Sequence, residues 1–241
     1  MSRIVTIAAS AALALSAAAA GSAVAADADE APNWSGFHVG GHIGGAGLST
    51  SWTGSQSVTI PGPPGAEGQP PGPPTTVTTP IGASANRTAV DVGAQAGFDV
   101  QTGQFVFGVE GDFDYNSLNS QTVAASYTVR AHATDYGSIR ARAGVAFDKV
   151  LVFATGGAAF SNLSFTTTTA SGLVATASSG TGWTAGGGAE VRLSHNLSLV
   201  AEGSYASFGG HDLNAAGLNK TLADHVSANE GRGWIGLNFH F

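Results

Sequence analysis

The stretch FVFGVEGDFDY, residues 105–115, decides the fold of this chain. Its odd-numbered positions are aromatic or aliphatic apart from one glycine, while its even-numbered positions include Glu110, Asp112 and Asp114. Successive side chains of a β-strand point to opposite faces, so a strand here has one apolar face and one acidic face. A helix would spread both kinds of side chain over every side. The period of two therefore predicts a strand.

Seven other segments repeat this alternation, although 150–160 does so weakly because Val152 and Ala154 fall on the face that we assign as polar. Short turns separate some segments, and polar stretches separate the others. This order predicts an all-β fold: an eight-stranded antiparallel up-and-down transmembrane β-barrel with four long outer loops and short periplasmic turns. The further strands are predicted at 34–45, 89–99, 137–147, 150–160, 182–193, 197–205 and 233–241, and the long loops at 49–87, 116–135, 161–181 and 206–231.

The first 26 residues have the order of parts of a secretory signal peptide. Arg3 is followed by an Ala/Leu-rich run and then by small residues, and this order predicts cleavage after Ala25 or Ala26. We expect residues 1–26 to be removed, 27–33 to form a short lead, and 34–241 to form the barrel domain. No later apolar run is long enough for a membrane helix.

Charge and cysteine content narrow the function classes. Without Arg3 the chain has eight Lys and Arg residues against sixteen acids, a net charge of −8. Such a balance offers no basic patch for nucleic acid. The chain is predicted to be exported yet has no cysteine, so its stability must come from packing and closed hydrogen bonding rather than from disulfides.

The alternation does not by itself say whether lipid or a protein core covers the apolar face, since a secreted soluble barrel would show the same period. Glycines crowd the polar face, as a narrow interior requires, and the last strand runs to Phe241, which favours closure onto the first strand. Aromatic residues also lie near the strand ends, as in an interfacial girdle. These features favour a barrel in the outer membrane; the girdle residues are Trp34, Phe37, Phe98, Phe105, Phe147, Trp183 and Tyr205.

Charged residues on the polar faces predict a charge cluster in the lumen. Acids of the third strand lie opposite arginines of the fourth, and oppositely charged neighbours stabilise a hairpin. The cluster could act as a selectivity filter, or it could simply fill a narrow barrel with side chains. Its predicted members are Glu110, Asp112, Asp114, Arg140, Arg142, Glu190, Arg192 and Glu202.

Three histidines share the polar faces of the first and last strands. His38, His42 and His240 could bind a metal or haem, or they could serve only as hydrogen-bonding groups of the lumen. Acid–histidine neighbours at 211–212 and 224–225 are common in polar loops and fix no nucleophile. We therefore assign no catalytic residue, metal or cofactor. The Pro-rich segment 61–74 predicts a flexible, extended loop.

The strand segments together resemble the 25/31-kDa surface-antigen, porin-like family, the eight-stranded outer-membrane proteins of alphaproteobacteria such as rhizobia and brucellae. The matching segments are WSGFHVGGHIGG, FVFGVEGDFDYNSL, GSIRARAGVAFDKVLVFATGGAAFS, GWTAGGGAEVRLSHNLSLVAEGSYASFG and WIGLNFHF. The resemblance implies outer-membrane location, surface-exposed loops and a part in envelope integrity, but no catalytic residue. The ending resembles the insertion signal read by the outer-membrane assembly machinery, with Gly236, Phe239 and Phe241 at its glycine and aromatic positions.

A structural surface protein is thus the leading hypothesis for function. The alternatives are a narrow diffusion porin and a surface receptor for haem or a metal. Expected partners are outer-membrane lipid, lipopolysaccharide and the assembly machinery, without nucleic acid, and the oligomeric state is left open.

Overall fold

The computed structural model describes residues 33–124, 127–169, 172, 174–217 and 220–241. Within these ranges each strand pairs antiparallel with its neighbours in sequence, and β1 also pairs with β8, which closes the sheet into a barrel. No helix in the same ranges is long and apolar enough to cross a membrane. The strands are β1 (Gly36–Ile60), β2 (Thr75–Thr102), β3 (Phe105–Ala124), β4 (Tyr127–Phe147), β5 (Val150–Thr169), β6 (Val174–Arg192), β7 (Leu197–Gly217) and β8 (Lys220–His240).

The two ends of the barrel differ. Short connections at 103–104, 148–149 and 193–196 lie at one end, which we call the turn end, and the opposite end is the hairpin end. Towards the turn end, large apolar side chains point outward and are exposed, as the alternation predicts. This apolar belt contains Phe37, Val39, Ile43, Val90, Val92, Phe98, Val100, Phe105, Phe107, Val109, Phe113, Tyr115, Ile139, Phe147, Val152, Phe160, Trp183, Leu199, Tyr205, Ile235, Leu237 and Phe239.

The prediction of four long loops is wrong for most of their length. The described residues of 49–60, 75–87, 116–135, 161–181 and 206–231 mostly continue the strands beyond the belt and pair with neighbouring strands. Cross-strand pairing satisfies backbone groups that a loop would leave to water. Residues 61–74, which join β1 to β2, lie outside the strands, as predicted.

Beyond the belt the barrel divides into two four-stranded sheets. Pairing between β2 and β3 ends at Asp91 and Asn116, and pairing between β6 and β7 ends at Trp183 and Ser207. One lobe therefore contains β7, β8, β1 and β2, and the other contains β3 to β6. Across one seam, the Tyr127 hydroxyl donates a 2.7 Å hydrogen bond to the Gly82 carbonyl.

The polarity of the wall reverses in these lobes. Inside the belt many inward side chains are charged, but beyond it they are mostly apolar and pack into one core shared by the two lobes. Apolar groups gain free energy by moving inside wherever water covers the wall. This hairpin-end core consists of Ala46, Leu48, Trp52, Ile81, Leu118, Val129, Ala131, Ala133, Tyr136, Ala159, Leu163, Phe165, Ala175, Ala206, Phe208, Val226 and Ala228.

Two face assignments made from the sequence are also wrong. In β5 the inward side chains are Leu151 and Phe153, because Phe153 pairs with Gly144 on the inward face of β4; Val152 and Ala154 point outward. Trp34 is buried at the turn end rather than in the girdle, because its ring lies under the Arg192 guanidinium and edge-on to His240.

Candidate functional site

Arg140 joins opposite parts of the barrel wall through the lumen. Its guanidinium lies 2.6 Å from Glu110 and 3.2 Å from Asp112 on β3, and it also pairs with Glu202 on β7. Thr155 of β5 accepts a further bond from the same group. These strands bring the groups together because inward residues of paired strands share one face. Four strands are therefore linked by one side chain.

Arg142 forms a second crossing nearer the turn end. It pairs with Glu190 on β6 and lies 3.3 Å from Asp99 on β2 and 3.9 Å from Glu110. Its guanidinium carbon is 4.0 Å from the centre of the Phe153 ring, and its side chain is 1% exposed. The charge is thus held by three carboxylates and an aromatic face.

Arg232 forms a third crossing that the sequence analysis missed. It pairs with Asp91 on β2 and lies 2.7 Å from Asp114 on β3. Glu230 lies 3.7 Å from the Arg232 Nε atom. Glu230 lies in the predicted loop 206–231, and Arg232 lies between that loop and the predicted last strand, yet both share the even-numbered face of Asn238 and His240, a signal that could have found them. Asp91 and Asp99 also lay on a predicted polar face without being selected.

We call these three crossings the charge network. Its members are Asp91, Asp99, Glu110, Asp112, Asp114, Glu190, Glu202, Glu230, Arg140, Arg142 and Arg232. With Arg192, the inward faces carry eight carboxylates against four guanidinium groups. Arg140, Arg142 and Arg232 each contact at least two of these carboxylates, so each of the three is central to the network.

Glycines make the network possible because they leave room for it. A Cβ atom on Gly97 would lie 2.6 Å from the His38 ring, and one on Gly108 would lie 2.6 Å from the carbonyl oxygen of Phe98 and closer still to the Asp99 carboxylate. A narrow barrel has no other space for these side chains.

Apolar layers lie on both sides of the charge network. The hairpin-end core lies above it. Below it is the turn-end core, formed by Trp34, Val106, Ala146, Leu151, Phe153, Val200 and Trp234. Arg192 belongs to this end, since its guanidinium donates to the carbonyls of Asn33 and His195 and lies over the Trp34 ring. Among the predicted members of the lumen charge cluster, Arg192 thus lies outside the charge network.

The three histidines contact different groups. His42 bonds to Asp114 and to Gln95, and its ring stacks on Trp234. His240 bonds to Glu190 and Ser198, while His38 lies 3.4 Å from Glu110. The rings of His38 and His240 have centres 5.6 Å apart. In the described part of the chain no group of three or more His, Cys, Asp or Glu side chains has an arrangement that would hold a metal ion.

The remaining sequence motifs lie at the two ends. Asp212 and His225 form a 2.8 Å hydrogen bond on the exposed surface of β7 and β8, with side chains 75% and 53% exposed. At the turn end, Phe239 and Phe241 point outward with ring centres 5.2 Å apart, and Gly236 packs against the backbone of β1. The predicted signal peptide, residues 1–26, lies outside the described residues.

Comparison with known proteins agrees with this architecture. A family model for the outer membrane protein beta-barrel domain matches residues 8–224. The 25 kDa outer-membrane immunogenic protein of Brucella melitensis is 31% identical over 151 residues, which cover 61% of this chain and 64% of that protein. The 31 kDa outer-membrane immunogenic protein of the same species is 31% identical over 159 residues, covering 62% and 65%.

Among solved structures, the outer-membrane protease OmpT of Escherichia coli superposes with a TM-score of 0.47 at 7% identity, covering 86% of this chain and 97% of that one. The matches to both Brucella proteins leave about a third of each relative's length outside the aligned segment. The family match itself spans most of the strands described above. The chain therefore belongs to the outer-membrane β-barrel protein family.

Proposed function

We propose that this chain is a closed, non-conducting barrel with its turn end towards the periplasm, that it anchors a two-lobed structure at the cell surface, and that it contributes to the integrity of the outer membrane. The observation that carries the proposal is the charge network, which crosses the lumen between two apolar layers. Water and ions would have to break buried ion pairs and then enter two apolar layers to pass. Both steps are costly.

The two alternatives receive less support from the contacts. A diffusion porin needs a continuous polar path, whereas here apolar residues of both lobes pack into one core. A receptor for haem or a metal needs free histidine nitrogens, whereas His42 and His240 are engaged with carboxylates.

We also propose that the protein has no catalytic activity, and that Gly236, Phe239 and Phe241 are read by the assembly machinery.

Single-channel recording tests the closed state. The refolded protein is inserted into a planar bilayer, and we expect no ohmic current steps. Because the chain has no cysteine, a Val123→Cys variant labelled with a fluorescent maleimide can count the inserted molecules and separate a closed barrel from a missing one. Steady steps that scale with the inserted count would refute the proposal and favour the porin.

The proposed processing has a separate test. We propose that residues 1–26 form a signal peptide, that 27–33 form a lead and that 34–241 form the barrel. N-terminal sequencing of protein purified from membranes should begin at Ala26 or Asp27. A sequence beginning at Met1 would contradict this assignment without bearing on the closed lumen.

A further inference from the structure

The Pro-rich tip, residues 61–74, joins β1 to β2 with a backbone that its prolines fix. Every residue of 60–64 and of 69–74 is a proline or precedes one. Proline holds its own φ at about −65°, and it confines the residue before it to extended conformations. Two arms of polyproline II helix therefore flank a short turn. In that turn Gly68 has a φ of 84°.

The two arms fold back onto each other through their glycines. The Gly72 N–H donates a 2.9 Å hydrogen bond to the Pro63 carbonyl. A Cβ atom on Gly62 would overlap the Gly72 carbonyl. In the same way, a Cβ atom on Gly65 would overlap the carbonyl of Gln69. Polyproline II has about three residues per turn, so Gly62 and Gly65 share the face of their arm that packs against the other arm.

The prolines of the tip form an exposed apolar surface. Ile60 and Val77, at the base of the tip, are 51% and 48% exposed. Within residues 60–77 the one charged side chain is that of Glu67. An apolar surface that a protein leaves in water marks a site of interaction. We define the proline surface as Ile60, Val77 and the exposed prolines Pro61, Pro63, Pro64, Pro70, Pro71, Pro73 and Pro74.

The spacing of the prolines places pairs of them on common faces. Three pairs are separated by three positions: Pro61 and Pro64, Pro70 and Pro73, and Pro71 and Pro74. In a helix with about three residues per turn, each pair forms a ridge along one side. Grooves lined by aromatic side chains recognise this Pro-x-x-Pro spacing. Because proline has no N–H, the arms offer a partner mainly carbonyl acceptors.

We propose that the folded tip docks, through the proline surface, into an aromatic groove of a partner protein. Tryptophan and tyrosine rings of such a groove pack against the proline ridges, and their N–H and O–H groups donate to the arm carbonyls. The arms are already extended in the free protein, so docking loses little conformational entropy. With one acid in the tip, the contact is apolar rather than ionic. The location of this partner outside the cell rests on the proposed orientation of the barrel, but the docking itself does not.

Titration of groove domains, followed by fluorine NMR, tests the proposal. The probes are an SH3, a WW and an EVH1 domain whose tryptophans are replaced by 5-fluorotryptophan, so that the tryptophans of the barrel give no signal. The refolded protein in detergent is added to each domain. We expect the groove resonance of at least one domain to shift with a Kd of about 100 µM or tighter. Between about 0.05 M and 0.5 M salt this Kd should change less than about twofold, because salt screens charges and the contact is apolar.

A triple variant removes the proline ridges. Pro61→Ala, Pro70→Ala and Pro71→Ala together take one proline from each pair, at positions that lie outside the strands of the barrel. The control is Pro80→Ala, the same change at an exposed proline on β2. The triple variant should bind at least about tenfold more weakly, whereas Pro80→Ala should bind like the unmodified protein. Equal binding by the three proteins, or no shift in any domain at about 1 mM protein, would overturn the proposal.

Glycine variants test whether the folded tip docks as a unit. Gly62→Val keeps every proline but forces the arms apart, because its Cβ overlaps the Gly72 carbonyl. The control is Gly82→Val on β2, where an added Cβ meets no other atom within 4 Å. Gly62→Val should weaken binding at least about threefold by loosening the arms, and Gly82→Val should not. An unchanged Kd for Gly62→Val, or an equal loss with Gly82→Val, would refute docking of the folded tip.

Two further measurements complete the test. Heat-dependent gel migration checks that every variant is folded. Light scattering measures association between copies of the protein. Dimers that the triple variant loses, without a shift in any domain, would assign the proline surface to a second copy and overturn the proposal. The conductance of the lumen is not involved, so this test and that of the closed barrel fail independently.

Discussion

Replacement of Arg142 by alanine should strongly destabilise the folded barrel. The side chain is 1% exposed and pairs with Glu190, Asp99 and Glu110, so its loss leaves carboxylates buried without their cation. Removing one partner of a buried ion pair costs about 3–5 kcal/mol. With a urea dependence of about 3 kcal/mol per molar, the unfolding midpoint should fall by about 1–1.7 M.

The assay is urea unfolding in lipid vesicles, followed by tryptophan fluorescence and by gel mobility. The control is His225→Ala, which removes the exposed pair with Asp212. Because an exposed pair contributes about 0–1 kcal/mol, the midpoint of this variant should stay within about 0.3 M of the unmodified protein.

A second substitution tests whether the loss of the buried ion pair causes the destabilisation. Glu190→Gln alone should destabilise the protein, because it removes the main partner of Arg142. In the Arg142→Ala background the same change should be neutral or stabilising, since it removes an uncompensated buried charge. An Arg142→Ala midpoint within about 0.3 M of the unmodified protein, or an equal effect of Glu190→Gln in both backgrounds, would refute our account of the charge network.

Three further substitutions test other parts of the fold. Gly108→Ala should lower the free energy of unfolding by about 1–3 kcal/mol, because the added Cβ meets the Phe98 carbonyl and the Asp99 carboxylate. The control, outward-facing Gly111→Ala, should change it little. Similar unfolding midpoints for the two variants would show that the lumen has free space. Val109→Arg, in the middle of the belt on β3, should lower the free energy of unfolding by about 2–4 kcal/mol. Val123→Arg on the same strand should lower it little, because water covers that position. Equal losses would show that we have placed the membrane boundary wrongly on β3. Tyr127→Phe removes the hydrogen bond across the β2–β3 seam, which contributes about 1 kcal/mol. It should speed amide hydrogen exchange along residues 75–90 without changing the midpoint of global unfolding. Unchanged exchange would mean that the hairpin-end core alone holds the seam.

The turn-end half of every strand could be located from the sequence, and its inward face assigned in all strands but β5, because one physical rule applies there. Lipid outside and charge inside give strict alternation, as in 105–115, where Phe107 and Val109 are exposed and Glu110 is buried. In β5 the rule failed because Leu151 and Phe153 put apolar residues on both faces. Only the pairing register between β5 and β4 decides which face of β5 points inward, and the local sequence of β5 does not determine that register.

The hairpin-end half could not be predicted because the rule reverses. Outside the membrane the outward residues are polar and the inward ones apolar, so Leu163 and Phe165 in a Ser/Thr-rich run looked like scattered apolar residues in a loop. The same error hid Glu230 and Arg232, and with them one of the three crossings. Their partners, Asp91 and Asp114, lie far away in sequence, and the barrel closure brings them together.

The length of β1 sets how far the protein stands above the cell surface. Its last fifteen residues, 46–60, lie beyond the apolar belt. At about 3.3 Å per residue and a tilt of about 40°, they rise roughly 35–40 Å above the hydrocarbon layer. This is more than the thickness of that layer, about 25 Å in such barrels. The Pro-rich tip, residues 61–74, therefore stands clear of the lipid headgroups on a paired stalk, where an antibody that approaches an intact cell can reach it.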